Sequence, residues 1–489
     1  MDTLIPEQSY FRISTPSLSG SLDYKRQAQI FERIDHLLTV EGIENQAKLL
    51  FLKFECDKQG VIFDKNEQLR LQLKASQSIR VNIAKSILCC SFRDMSVRIS
   101  DSNLLQWFCK FDGPQIKKLP SKSKLNDLAR CIPENLIREF VNLLTKAINK
   151  GMSSFSEEID LTSIYADSTC LKLNIHHPVD WVLIRDAIKS IMKTIKTIRS
   201  HNIKHRINPP DGFLKQINRL SIEMTMTKSS RRENAKKKRK DTLREMKSLL
   251  RVVEQHGYRY FNRLNKAWEK SNLTQKQAEQ LSMNLAKILD QIDDIIFQAH
   301  ERIIGERQVQ NKNKVLSLYE KHAHVYTRGK AGAEVEFGLQ FFIAETAQGL
   351  ILDWDLRDGK PQHDSKFVRP CIEKLEESGI HPNEFVGDRG FVSPKVDKVL
   401  KGKGIKNHIF PRKTEELKKK QKQISFNEAT NRRSQTEGRI GIIKSSFLGG
   451  KLKSKGYQNQ SKQVAWAILA HNFWVLARMP MQMEQKLTA

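Results

Sequence analysis

Three acidic residues, far apart in the chain, stand where a strand or a helix could present them to a substrate. Asp167 lies in Tyr165-Ala-Asp-Ser-Thr169, closing a short run from Leu161 rich in Ile, Tyr and Thr that reads as a strand. Asp388 lies in Val386-Gly-Asp-Arg-Gly-Phe391, after a second short apolar run, where a flanking glycine lets backbone and substrate approach closely. Glu437 falls on an expected helix. Hard divalent cations need oxygen ligands, and two of them about 3.5–4 Å apart can activate a water or hydroxyl and hold negative charge on a scissile phosphate. Together the three acids could therefore support metal-assisted phosphodiester cleavage. Singly, each aspartate has an ordinary reading as a turn former or helix cap. Asp353, Asp355 and Asp358 in or after a hairpin, and Asp364 before a helix, need no more than exposed-face and capping roles.

Arg433 and Lys444 stand four residues before and seven after Glu437, offsets that put all three on one helix face. Cations there can hold phosphates flanking a metal-bound carboxylate, Arg through its fork and Lys as a point charge. The plainer alternative is a surface ion pair between Arg433 and Glu437. The whole chain favours a polyanionic partner: 489 residues carry a formal charge of +29, with a pI near 9.7. Neutralising phosphates, with counterion release, is the commonest use of such an excess, so double-stranded DNA leads the candidates. No run approaches ~18 apolar residues and Met1 to Gln8 lack a signal pattern, so no membrane and a cytosolic location are expected. Seven cysteines without Cys-x-x-Cys spacing point to reduced thiols rather than disulfides or zinc. The histidine pairs 201/205 and 322/324 lack a third ligand nearby and read as solvated or structural.

Several elements must position these residues. Helical periodicity runs from Asp23 to Lys150, so residues 1–150 read as an all-α N-terminal domain, with Asp101-Ser102 and Ser121 or Ser123 as helix caps. That domain could contain a helix-turn-helix or simply packed helices. The region 155–489 reads as α/β. After the strand at Asp167 come a long antiparallel hairpin (Val335 to Ile343, then Leu350 to Leu356 across Gln348-Gly349), a helix from Asp364 or Ser365 to about Glu377, short strands at Phe385-Val386 and Ile405 to Phe410, and a last helix around Val464 to Leu476. A richly charged helical insertion at about 175–314 interrupts this order. Within it, Lys228 to Lys240 holds eight basic residues against one acid, which reads equally as a solvated helix face or a DNA-backbone contact.

These segments resemble the DDE transposases of bacterial insertion sequences. The resemblance rests on the strand-borne Asp167, the Asp388-Arg-Gly-Phe391 turn, and Arg433, Glu437 and Lys444 in the spacing of the family's tyrosine-arginine-glutamate-lysine signature, with Thr430 replacing the tyrosine. It extends to Tyr319 through Lys330 with Val335-Glu-Phe-Gly338, and to Ser91-Phe-Arg-Asp-Met95, Trp107-Phe108 and Pro120 through Leu125 in the N-terminal region. It implies a ribonuclease-H-like mixed sheet. It also implies two Mg2+ or Mn2+ ions on Asp167, Asp388 and Glu437, and DNA contacts from Arg433, Lys444, Arg389 and Lys330. The expected activity is cleavage at transposon ends followed by strand transfer into target DNA. A homodimer or higher assembly on DNA is expected, since two ends must meet. The alternatives are a nuclease of the same fold that does not join strands, and a DNA-binding protein without chemistry.

Overall fold

A computed structural model describes residues 20–112, 118–155, 158–330 and 333–481; the side chains of residues 312, 328–330, 333 and 334 are outside that description. The fold is mixed α/β and divides into two compact units, Met1–Lys172 with Leu339–Ala489, and Leu173–Gly338.

The first unit begins with seven helices: α1 (Leu22–Val40), α2 (Ile43–Gln59), α3 (Lys65–Ile87), α4 (Phe92–Asp101), α5 (Asn103–Phe108), α6 (Lys122–Cys131) and α7 (Glu134–Asn149). Their starts follow from side-chain caps. Ser91 and Asp94 form a reciprocal capping box, Ser102 accepts from the Leu105 N–H, and Ser121 accepts from the Lys124 N–H. Among the described residues, Arg80 of α3 is the buried cation of this bundle. The Arg80 guanidinium, 1% exposed, donates to both Glu44 carboxylate oxygens at 2.8 Å and to Asp35 at 2.7 Å. Burial alone would raise the Glu44 carboxyl, but the charge and hydrogen bonds of Arg80 outweigh it and hold Glu44 far below the usual range.

The sheet of this unit contains β1 (Ser163–Lys172), the second half of β3 (Ala333–Glu345), β4 (Ile351–Leu356), β5 (Glu384–Gly387) and β6 (Lys406–Ile409). β3 lies between β1 and β4, and β5 and β6 continue on the far side of β1. β3 and β4 are antiparallel; β1–β5 and β5–β6 are parallel. The parallel links require crossover helices, here α13 (Ser365–Glu377) and α14 (Pro394–Gly402). α15 (Thr414–Lys420), α16 (Ile424–Ile442) and α17 (Tyr457–Leu476) complete the unit. α17 is buried on almost every side, its Asn472 bonding both backbone groups of Ile351 in β4.

The second unit has its own apolar core, built by α8 (Asp180–Ser200), α9 (Pro210–Thr227), α10 (Glu233–Ala267), α11 (Gln275–Leu289) and α12 (Ile292–Ala299). Ile184, Ile188 and Ile191 of α8, Leu220 and Met224 of α9, and Leu250 and Val253 of α10 are fully or almost fully buried there. The unit extends past residue 314 into β2 (His324–Lys330), which pairs antiparallel with the first half of β3.

One strand boundary differs from expectation. β1 does not end at Asp167 but runs on through Ser168, Thr169, Cys170 and Leu171. The apolar pattern fades at Asp167, yet Thr169, Cys170 and Leu171 are buried and prolong the strand, which places the acid mid-strand. Among the described residues no helix is long and apolar enough to cross a membrane, and all seven cysteines are free thiols.

Replacing Arg80 by Met is expected to take the buried guanidinium away from Glu44 and Asp35, leaving Lys110 on Glu44, and to destabilise the N-terminal helices by about 3–5 kcal/mol. Urea unfolding would measure it, and a loss below about 1 kcal/mol would refute this account of the buried cation.

Candidate active site

Strand register brings two of the three acids together. β1 and β5 are paired with Ser163 opposite Glu384, Ile164 opposite Phe385 and Tyr165 opposite Val386. Continued two residues past the ladder, that register sets Asp167 beside Asp388, immediately after β5 ends. Tyr165 and Asp167 point to the same face, as do Val386 and Asp388, because side chains alternate along a strand. α16 covers that face, with Ala429 packed on Tyr165 and Val386. Glu437 and Arg433 lie further along the same helix, and both act electrostatically on Asp167.

Burial and like charge set the electrostatics of the site. Burial pushes the Asp167 carboxyl up to about 6, helped by the charges of Asp388 and Glu437 and opposed by the Ser168 N–H, which donates to it at 2.7 Å, and by Arg433. Asp388 spends one oxygen accepting from the Gly390 N–H at 2.8 Å, which fixes the turn Arg389–Phe391. Glu437 is 56% exposed and pairs at 3.5 Å with Arg433, the ordinary i,i+4 contact. Among the described residues no three His, Cys, Asp or Glu side chains form a ready metal cage. The donor chemistry nevertheless fits hard divalent ions: oxygen ligands only, with like charges close enough to raise a carboxyl that a cation would lower again.

The basic candidates divide. Lys444 lies beyond the α-helical end of α16, in a π-helical turn over Ile443–Phe447, and donates to Thr169 Oγ1 at 2.5 Å, two residues along β1 from Asp167. Arg389 is exposed directly after Asp388. Lys330 ends β2 in the second unit, and its side chain lies outside the described residues.

Sequence reasoning missed the residues that hold this arrangement. Asp364 sits at the N-cap position of α13 but makes no capping bond. Its Oδ1 accepts instead from Ser168 Oγ and from Gln340 Nε2, so a fourth carboxylate reaches the neighbour of Asp167, and burial raises its carboxyl. Gly390 makes room for the protein's own acids: a Cβ there would stand 2.5 Å from Asp364 Oδ2 and 2.9 Å from Asp388 Oδ1. Glu345, fully buried at the end of β3, clamps α16. It accepts from Thr436 Oγ1 at 2.7 Å and lies 3.4 Å from both Arg432 and Arg439. Arg432 also donates to Ala347 O and Thr346 O and stacks 4.8 Å over Tyr165. The Arg439 guanidinium fills the space a side chain at Gly349 would need, and Gly349 has φ +92°, so glycine is required there twice over. The sequence signal for the clamp is an acid closing the apolar run Phe341 to Ala344, balanced by arginines spaced seven apart.

Residues 292–473 match the family model described as the transposase DDE domain. That match supports a DDE-type transposase, a DNA-processing enzyme. Comparison with curated proteins and with solved structures found no match. The matched stretch of the DDE domain contains Asp388, Glu437, Arg433 and Lys444 but begins after Asp167, which the helices of the second unit separate from it in sequence.

An aspartate whose folded value lies above its unfolded one, about 3.9, stabilises the fold fully below that value and loses the contribution as pH rises through about 6. The metal-free melting temperature is therefore expected to fall between about pH 4 and 7, and Asp167→Asn to remove that part of the slope, gaining up to about 3 kcal/mol at pH 8. Matching pH profiles for the two proteins in EDTA would contradict the raised Asp167 carboxyl. Gly390→Ala is expected to raise the Mg2+ concentration for half-maximal activity about tenfold or more, because it displaces carboxylates at the site. An unchanged Mg2+ titration would show that they yield freely.

Proposed function

We propose that this transposase cleaves DNA at transposon ends and transfers the freed strand into target DNA, with Asp167, Asp388 and Glu437 as its catalytic, metal-binding carboxylates. The observation that carries the reading is the β1–β5 register, which leads Asp167 and Asp388 side by side beneath the helix bearing Glu437. The mixed sheet, antiparallel at β3–β4 and parallel through β1, β5 and β6, supports a ribonuclease-H-like core. An origin in a bacterial insertion sequence is part of the same proposal.

Two divalent ions, Mg2+ or Mn2+, would be held by these carboxylates and would supply a lowered pKa for the attacking oxygen and charge neutralisation at the scissile phosphate. The chain's own residues do the rest. Ser168 N–H and the turn at Gly390 fix the directions of Asp167 and Asp388. Glu437 has to leave Arg433 to join them, which costs only about 0.3–0.5 kcal/mol for an exposed i,i+4 pair, and frees the Arg433 fork for a phosphate. Arg389, exposed beside Asp388, and Lys444, beside Thr169, lie where they can hold DNA strands flanking the cut. Lys330 belongs to the same proposed set. The Glu345 clamp keeps α16 in place while Glu437 moves at its surface. The N-terminal helices, with capped α4, α5 and α6, are proposed to help recognise the element's ends, and a dimer or higher assembly to bring two ends together.

Nicking of supercoiled plasmid in Mg2+ is expected to fall at least about 100-fold in Asp388→Asn, since even outer-shell partners of a metal cost 10–100-fold. The wild type is also expected to join a labelled end to a target duplex. Nicking without joining would make it a nuclease, and binding without nicking in either protein would make it a DNA-binding protein.

A further inference from the structure

The second unit concentrates the chain's charge. Leu173–Gly338 holds 33 lysines and arginines against 18 acids, about half of the +29 excess in about a third of the length. In the densest run in sequence, Lys228 to Lys240, three of the eight basic residues are bonded within the fold. Arg239 donates to the carbonyls of Thr227, Lys228 and Ser230, Lys236 pairs with Glu233 at 2.6 Å, and Lys240 pairs with Glu306 at 2.7 Å. Lys237 and Lys238 share a shallow hollow with Glu223, Asp241 and Glu245.

A different basic surface is assembled where the sequence is less dense. The loop at 201–209, between α8 and α9, is pinned from beneath. Fully buried Tyr260 accepts from the His205 N–H and donates to the His205 carbonyl, each at 3.2 Å, and Arg199 donates to that carbonyl and to the Tyr260 hydroxyl. Arg263 of α10 donates to the Lys204 carbonyl. Lys204 and Arg206 are exposed on this fixed loop, beside Arg259, Arg263 and Lys266, which follow one another at helical spacing along exposed positions of α10. Among the described residues no salt bridge reaches any of these five. Desolvation, then Arg263 and Arg259, depress the His205 imidazole, and desolvation, then Arg259 and His205, depress His256; no carboxylate opposes either.

We infer that the pinned 201–209 loop and the C-terminal half of α10 form a second, sequence-independent binding face for the phosphate backbone of duplex DNA, carried entirely by the helical insertion. Arg259 to Lys266 covers about 10 Å of helix axis, over which duplex DNA presents about six phosphates. A backbone already fixed by Tyr260 and Arg199 loses little freedom on binding, so the charges act with little ordering cost. Only the identity of the polyanion rests on the transposase reading. The charge arrangement itself, without base-reading geometry, fits backbone contact rather than sequence recognition.

The test uses the full chain in EDTA, where strands are not cut, and follows a fluorescent 30-base-pair duplex by anisotropy across salt concentrations. The triple variant Lys204→Glu, Arg206→Glu, Arg259→Glu removes charges whose side chains make no ion pair or hydrogen bond among the described residues. It is expected to bind at least tenfold more weakly at about 100 mM salt and to lower the slope of log K against log salt by about 2–3. The pair Lys237→Glu, Lys238→Glu should change much less. The proposal is overturned if the triple variant keeps wild-type affinity and slope, if the control pair loses as much, or if the triple variant loses affinity only for RNA or for anionic vesicles. Should the glutamates lower the melting temperature, the corresponding glutamine triple variant reads the same slope change at lower charge. Nicking by Asp388→Asn is measured separately, so failure of the catalytic reading and failure of this surface are distinguishable.

Discussion

Two aspartates on neighbouring parallel strands, half-buried and side by side, impose the constraint around which the first unit is organised. Burial first, and then the like charges of Asp388 and Glu437, push the Asp167 carboxyl up to about 6. Backbone N–H groups at Ser168 and Gly390 offset some of that cost, and Gly390 leaves the space in which Asp388 and Asp364 can both stand. Such an arrangement costs free energy that the structure around it has to offset.

That structure is the clamp on α16. A helix bearing an exposed glutamate and alternating arginines has little apolar surface to hold it to a sheet. Glu345, fully buried among Thr436, Arg432 and Arg439, supplies the attachment, and Arg432 continues it onto Tyr165 and the turn carbonyls. The buried glutamate remains raised by its burial despite two guanidiniums, so neither side of this network could be removed without exposing the cost of the other. Phe426 and Ala429 pack the start of the helix, polar contacts fix its middle, and Glu437 is left exposed at the surface. Buried attachment and an exposed carboxylate are thus provided by adjacent residues, Thr436 and Glu437.

The second unit solves a different problem. Its five helices bury a continuous stripe of Ile, Leu and Met, enough for a core of its own, and leave the basic residues outside. Asp180, buried at the start of α8, is satisfied by Gln298 and Arg302, which ties the first helix of the insertion to its last. Within that frame the long α10 serves both ends, with Arg239 closing the turn after α9 and Tyr260 closing the loop before it.

The sequence by itself determined the order and kind of most elements. Ser102 and Ser121 act as the caps their positions suggested, the hairpin turns at Gly349, Asp388 closes its strand, and Glu437 lies on its helix with Arg433 one turn away. These features are local: capping, alternation and helical spacing are set by residues within a few positions of each other. Only the tertiary structure decided that Asp167 lies inside a longer strand, that Asp364 turns from capping to Ser168, that Glu345 holds α16, and that Arg239 is spent on carbonyls while Arg259 and Arg206 face solvent together. Each of those depends on which strand pairs with which and in what register, or on helices meeting across dozens of residues. Periodicity along the chain carries no record of the partner, because a side chain's burial and its charge environment come from what lies across from it.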